Sequence, residues 1–328
     1  MSEKIRWGLI GLGSIARRFG SCFQYAAGAE IYAVASRSQE NADAFGAEFG
    51  ATKRYSSYEA LVKDPNVDVV YIGTPHNFHR AHTLLSLNAG KPVLCEKPFA
   101  VNAAEAREMI ERAREKNLFL MDAFWTRYFP AMVKLRELLA DKAIGDVMLV
   151  TADFGFRGSV APERRHFNLD LAGGALLDIG SYCIQFASMV YRKQPVDIAS
   201  QCTLGSTGVD ELSTLLFKYS DYEMALLTSS IRLSTPHEAR VMGTDGYITI
   251  PEFWHPSELT LTRPGQKPET YSFPHDGEGF QFEIMEVSEC IRAGLTESAV
   301  YPLDETLAIM ETLDQIRASW GLRYPFEE

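Results

Sequence analysis

A chain of 328 residues is long enough for two domains that each bury a core of their own. Hydrophobic residues make up 46% and charged residues 23%, the balance of a soluble globular protein, and a net charge of −11 argues against nucleic acid or an anionic membrane as partner. No apolar run approaches a membrane span, no leader is expected ahead of the first strand, and five scattered cysteines without a C-x-x-C pair fit a reduced, cytoplasmic protein.

The apolar run 5–10 reads as a buried parallel strand and leads directly into Gly11-Leu12-Gly13-Ser14-Ile15-Ala16. Gly11 permits a tight turn, and Gly13 lets the backbone approach a pyrophosphate. Ala16 lets strand and helix pack closely. The helix that begins at Ser14 and Ile15 offers unpaired N–H groups to an anion. Strands are expected at 5–10, 30–35, 53–55, 67–73, 92–96 and 118–123, with helices near 14–26, 39–49, 57–63, 79–89 and 102–116. Asn102-Ala-Ala-Glu105 resembles a capping box. This alternation predicts a doubly wound parallel sheet over residues 1–124, a Rossmann-type domain with ligands at the carboxyl ends of its strands.

The end of the second strand reads Ser36-Arg37-Ser38, where an NAD enzyme commonly carries an acid for the ribose 2′-hydroxyl. Arg37 can pair with a 2′-phosphate and stack on adenine, and either serine can donate to it, so NADP is expected over NAD. The bland alternative is a solvated arginine with Ser38 as a helix N-cap. After the next strand, Thr74 and Pro75 are placed to line the nicotinamide ribose, with His76 near the substrate. The spacing His76-x-x-His79-x-x-His82 suggests a metal, but Pro75 and the loop-to-helix transition oppose a shared face, so no metal is expected. Cys95-Glu96-Lys97-Pro98 then puts a lysine at the mouth of the sheet, fixed by a proline that can be cis.

Residues 125–328 follow a different grammar: a helix at 128–140, a strand at 147–156, an apolar helix at 173–190, strands at 197–204, 211–219, 223–233, 237–250, 258–263 and 269–273, and helices at 280–293 and 304–319. This predicts an α+β domain on an open, mostly antiparallel sheet. In the apolar helix Asp178 and Tyr182, at i and i+4, are costly to bury unless they line a cavity or pair with each other. The strands 211–219 and 223–233 carry apolar residues on both faces, Leu215 and Phe217 against Leu212 and Leu216, then Leu227 and Ile231 against Met224 and Leu226. One face should cover the helices and the other form a homodimer.

With these elements in chain order the sequence resembles the glucose-fructose oxidoreductase/inositol dehydrogenase (Gfo/Idh/MocA) family over nearly its whole length. The stretch Ala123-Phe124-Trp125-Thr126-Arg127-Tyr128-Phe129-Pro130 is similar to the dimeric dihydrodiol dehydrogenase and NADP-dependent D-xylose dehydrogenase branch. The resemblance implies hydride transfer between a nicotinamide and a secondary alcohol or carbonyl of a small sugar, polyol or cyclic diol. Its catalytic pair maps onto Lys97 and Tyr182, with Asp178 orienting substrate hydroxyls. It implies cofactor contacts from Gly11, Gly13, Ser14, Ile15, Ala16, Thr74, Pro75, His79, Glu96 and Lys97, and pocket walls from His76, Trp125, Arg127, Phe154 and Phe156. A keto-sugar or anhydro-sugar reductase is the nearest alternative, and a non-catalytic NADP-binding sensor the competitor from another class.

Overall fold

β1 (Ile5–Ile10) is buried along almost its whole length, as a strand flanked on both sides by others must be. The computed structural model, which describes residues 4–159, 161 and 163–327, puts it near the middle of a six-stranded parallel sheet. α1 (Ser14–Ser21) follows directly, then β2 (Ala29–Ala35), α2 (Gln39–Phe49), β3 (Lys53–Tyr55), α3 (Tyr58–Val62) and β4 (Val69–Ile72). α4 (His79–Asn88), β5 (Val93–Glu96), α5 (Ala103–Lys116) and β6 (Leu120–Ala123) complete the alternation. The strand order is β3-β2-β1-β4-β5-β6, so the winding reverses between β1 and β4, and a crevice for a ligand opens beyond their carboxyl ends. α5 begins as its sequence predicts, the Asn102 side chain accepting from the Glu105 N–H at 2.9 Å.

A second unit contains α6 (Pro130–Ala140), β7 (Val147–Gly155) and α7 (Ser181–Tyr191), followed by β8 (Asp197–Leu204), β9 (Asp210–Lys218) and β10 (Met224–Ser230). β11 (Ala239–Gly243), β12 (Gly246–Ile250), β13 (Glu258–Thr262) and β14 (Glu269–Ser272) extend the sheet to eight strands in the order β14-β13-β12-β11-β7-β10-β9-β8. All neighbours are antiparallel except β7 and β10. The expected strand 237–250 is two strands, because Thr244 and Asp245 form a two-residue turn that pairs Gly243 with Gly246.

The chain divides into two compact units, each discontinuous in sequence. The first unit runs to Tyr128 and includes His275–Leu307, and the second holds Phe129–Pro274 and Ala308–Glu328. α8 (Phe280–Arg292) therefore belongs with the parallel sheet, whereas α9 (Leu303–Ser319) carries the chain from one unit to the other. The Leu120 N–H donates to the Thr296 carbonyl at 3.1 Å and the Arg292 guanidinium to the Gly28 carbonyl, which tie this returning segment to the sheet.

Candidate active site

In the first unit the glycine turn is built for close approach. Gly11 has φ +85°, and a Cβ there would lie 2.6 Å from the Thr74 backbone nitrogen, so the turn after β1 and the turn after β4 touch as only glycine allows. Gly13 is the N-cap of α1 and supplies no side-chain cap, and a Cβ there would meet only open space. The first N–H groups of α1, from Ser14, Ile15 and Ala16, are thus left to an anion, while the fully buried Ala16 side chain packs inward. These features fit a dinucleotide pyrophosphate.

At the end of β2 no carboxylate is present. Arg37 is exposed, makes no ion pair among the described residues, and its charge reaches Tyr58 and His82. Ser38 caps α2, its Oγ accepting from the Asn41 N–H at 3.3 Å, and Ser36 Oγ accepts from the Ser38 N–H at 3.3 Å. Both readings of Ser38 survive together, because a hydroxyl that accepts a cap bond keeps its own proton to donate.

After β4, Pro75 is exposed and Thr74 nearly buried, with Thr74 Oγ1 and His82 Nδ1 3.0 Å apart. His79, expected at the cofactor, is buried instead beneath this turn. Its Nε2 lies 2.8 Å from the Thr74 carbonyl and its Nδ1 2.9 Å from that of Pro98. Burial, helped by His76, pushes its pKa down to about 3, so the ring is neutral, and its single N–H donates to one of these two carbonyls while the ring packs between the turns. His76 is also buried, with its ring 6.3 Å from that of His79. With His79 and His82 committed in this way the histidines do not form a metal face, and no metal-holding group of His, Cys, Asp or Glu occurs among the described residues.

Lys97 follows β5, half-buried, with a cis bond to Pro98. Glu96, expected at the cofactor, turns inward. Its Oε1 accepts from the Tyr71 hydroxyl at 2.7 Å and its Oε2 from the Lys97 N–H at 3.2 Å. Arg127, expected as a pocket wall, is only 3% exposed and held by both oxygens of Glu305 at 2.6 and 3.2 Å, over the Tyr301 ring. Such a bidentate pair on a buried guanidinium leaves its planar fork little for a ligand. Trp125 stacks on Phe280 with ring centroids 4.2 Å apart, and the Arg18 guanidinium lies over both.

In the second unit Leu176–Gly180 form a π turn that leads into α7, so Asp178 and Tyr182 are not on a single α-helical face as their spacing predicts. Gly180 is needed here because a Cβ would lie 2.8 Å from Ser229 Oγ on β10. Asp178 is 6% exposed and pairs with Arg165 at 3.0 Å. His166 Nδ1 stands 2.9 Å from its other oxygen but without hydrogen-bond direction, an electrostatic contact only. Tyr182 packs edge-on against Phe154 at 5.3 Å, and Phe154 stacks on Trp254 at 5.3 Å. Phe156 meets the His166 ring at 5.2 Å.

Sequence reasoning missed Trp254 and Phe280, which lie in irregular or distant segments with no motif around them. It also missed Tyr71, Asp122 and Glu283, which stand behind the E-K-P segment. The one available signal was a carboxylate on the apolar side of the helix 280–293.

A fold and site of this kind define a class, and the comparisons with known proteins agree with it. Residues 5–124 match the model of the oxidoreductase family with an NAD-binding Rossmann fold, and residues 132–249 that of the GFO/IDH/MocA C-terminal domain. The chain belongs to the GFO/IDH/MocA oxidoreductase family. Among its relatives are the trans-1,2-dihydrobenzene-1,2-diol dehydrogenases of Mus musculus, 41% identical over 98% of each chain, and of Homo sapiens, 40% identical over the same shares. Its structure is similar to that of an aldose-aldose oxidoreductase from Caulobacter crescentus complexed with glycerol, with a TM-score of 0.89 at 25% identity, covering 98% of this chain and 99% of that one. It is also similar to a 3-ketoreductase from Actinomadura kijaniata in complex with NADP and TDP-benzene, with a TM-score of 0.84 at 25% identity, covering 96% and 98%.

Proposed function

We propose that the chain is an NADP-dependent dehydrogenase that oxidises a secondary alcohol of a cyclic trans-diol or a small sugar. The observation that carries this reading is the setting of Tyr182. Its buried phenol packs on the Phe154–Trp254 stack, with the Asp178 carboxylate four residues before it. An aromatic wall suits the apolar face of a six-membered ring, and a phenol and a carboxylate suit two neighbouring hydroxyls on it. The relatives named as dihydrodiol and aldose enzymes support the same substrate class.

NADP supplies the hydride acceptor when bound. Gly11, Gly13 and the α1 N–H groups would hold its pyrophosphate and Arg37 its 2′-phosphate, with Thr74, Pro75 and Lys97 at the ribose. Glu96, His76 and His79 support this site from beneath, and Trp125 belongs to its rim. Tyr182 takes the hydroxyl proton. A free phenol has a pKa of about 10, so the reaction needs a cation, and Lys97 is the one assigned. Asp178, held by Arg165, accepts from the second hydroxyl. Phe154 and Phe156 shape the apolar wall.

The experiment is an NADP-coupled absorbance screen over trans-dihydrodiols, aldoses, inositols and keto-sugars, with Tyr182→Phe and Lys97→Met beside the wild type. Positioned acid–base catalysis contributes about 10²–10⁴-fold, so Tyr182→Phe should lose turnover by that order and keep NADP binding. Lys97→Met should lose both. Absence of turnover with every class would favour the non-catalytic sensor, and unchanged turnover in Tyr182→Phe would move the base to Lys97.

Two further statements belong to this reading. The outer face of the second sheet carries Leu216 and Leu226, directly paired across β9 and β10 and 39% and 43% exposed, with Met224 two residues before Leu226 on the same face. Leu215, Phe217, Leu227 and Ile231 are buried on the other face, as the alternation predicts. The exposed face is the homodimer surface in this proposal. All five cysteines are free and four are buried, which suits a reducing, cytoplasmic setting, and no helix among the described residues is long and apolar enough to cross a membrane.

A further inference from the structure

His237 and Glu252 both stand in the left-handed region of the backbone, at φ +60° and +45°, and they face each other within the second unit, His237 Nδ1 3.2 Å from Glu252 Oε2. Neither is glycine, so each conformation costs free energy that surrounding contacts must offset, and such positions gather at ligand sites. The offsetting contacts lead to the Phe154–Trp254 stack. The His237 N–H donates to Asp153 Oδ2 at 2.8 Å, and Nε2 donates to the Gly155 carbonyl at 2.7 Å, a partner that can only accept. These two bonds bracket Phe154 in β7, whose ring lies 4.9 Å from the imidazole. The His237 carbonyl accepts from the Phe253 N–H at 3.0 Å, which fixes the turn after β12 between Glu252 and Trp254. Glu252 Oε2 then accepts from Trp254 Nε1 at 3.0 Å, and the indole plane lies 18° from that of Phe154.

The Glu252 carboxylate is 58% exposed, so its contact with the imidazole stabilises the fold little. Its effect is directional. Stacking sets the distance and tilt of an indole over its neighbour but leaves it free to slide and turn in its own plane, and one N–H bond at the ring edge removes that freedom. We propose that Glu252 is a positioning residue: anchored at His237, it locks the Trp254 indole over Phe154 and so makes the site select ring-shaped alcohols over open-chain ones. The selectivity rests on the reading of this aromatic wall as the seat of the substrate ring, and the locked indole does not. Glu252→Gln keeps an oxygen that accepts from the indole, whereas Glu252→Ala leaves the indole held by stacking alone.

The test uses the full chain with NADP. In proton–nitrogen correlation spectra the Trp254 indole N–H, identified by its loss in Trp254→Phe, should move upfield in Glu252→Ala and stay near its wild-type position in Glu252→Gln. The KM for trans-1,2-cyclohexanediol should rise about three- to tenfold in Glu252→Ala, the range for one net hydrogen bond, with kcat and NADP binding held. The KM for open-chain 2,3-butanediol should keep its wild-type value, and Glu252→Gln should recover most of the loss with the cyclic diol. A role in the fold alone would shift both KM values together or neither. An indole resonance that ignores Glu252→Ala, or equal KM changes for the two diols, would overturn the inference. Absence of turnover with both diols would sink the substrate reading and the selectivity with it. That failure is distinguishable, because the indole resonance is read without turnover.

Discussion

Replacing Arg37 with aspartate tests the cofactor assignment where its physics is simplest. Arg37 has no ion pair to surrender among the described residues, so the whole contact with a 2′-phosphate is available as binding energy. A charge-assisted hydrogen bond contributes about 1.5–3 kcal/mol, and an exposed guanidinium sits near the lower figure because salt screens it. About 1.5 kcal/mol is roughly tenfold in affinity. Aspartate removes that contact and adds a like-charge repulsion of similar size, which brings the loss to about a hundredfold, while NAD, lacking the phosphate, should bind unchanged or better. Ser36 and Ser38 keep their hydroxyl protons for the phosphate, so some NADP preference should remain in Arg37→Ala. Fluorescence titrations with both cofactors at low and high salt measure the difference, and the wild-type preference should shrink as salt rises. Equal affinity of the wild type for NAD and NADP, or an Arg37→Asp variant that binds NADP within twofold of wild type, refutes the argument.

Asp210 is fully buried, its Oδ2 accepting from the Leu176 N–H at 2.7 Å, and burial pushes its pKa up to about 7 against about 3.9 in an unfolded chain. Between those values the folded protein holds a proton that the unfolded chain has released, so this group makes stability fall as pH rises from about 4 to about 7. Asp210→Asn removes the dependence, and denaturant unfolding should show its stability relative to wild type growing across that range; a constant difference would contradict the linkage. For the sheet face, Leu226→Asp opposite Leu216 should yield a monomer by light scattering at micromolar concentration, with the fold intact by circular dichroism. A wild type already monomeric there, or a variant that still dimerises, would dismiss the β9–β10 face as the interface.

Local grammar determined a good deal by itself. The glycine turn after β1, the missing acid at the end of β2 and the alternation of strands and helices through residue 123 all stand in the structure, because each depends on a few neighbouring residues and on backbone sterics. The face pattern of β9 and β10 was legible for the same reason, since side chains alternate along a strand whatever lies on either side. Family motifs singled out Lys97, Asp178 and Tyr182. Tertiary structure decided the rest. Glu96 and His79 sit in recognisable motifs, yet only the three-dimensional packing shows that Tyr71 draws one inward and that the other is buried between the carbonyls of Thr74 and Pro98. Arg127 looked like a pocket wall until Glu305, 178 residues away, claimed its guanidinium. The return of 275–307 to the first unit, which brings Glu283 within the fields of Glu96 and Asp122, has no local signature at all. A side chain's type is written in one position, but its charge state depends on what surrounds it. Burial and neighbouring charge are set by segments distant in the chain, so they belong to the fold rather than to any window of sequence.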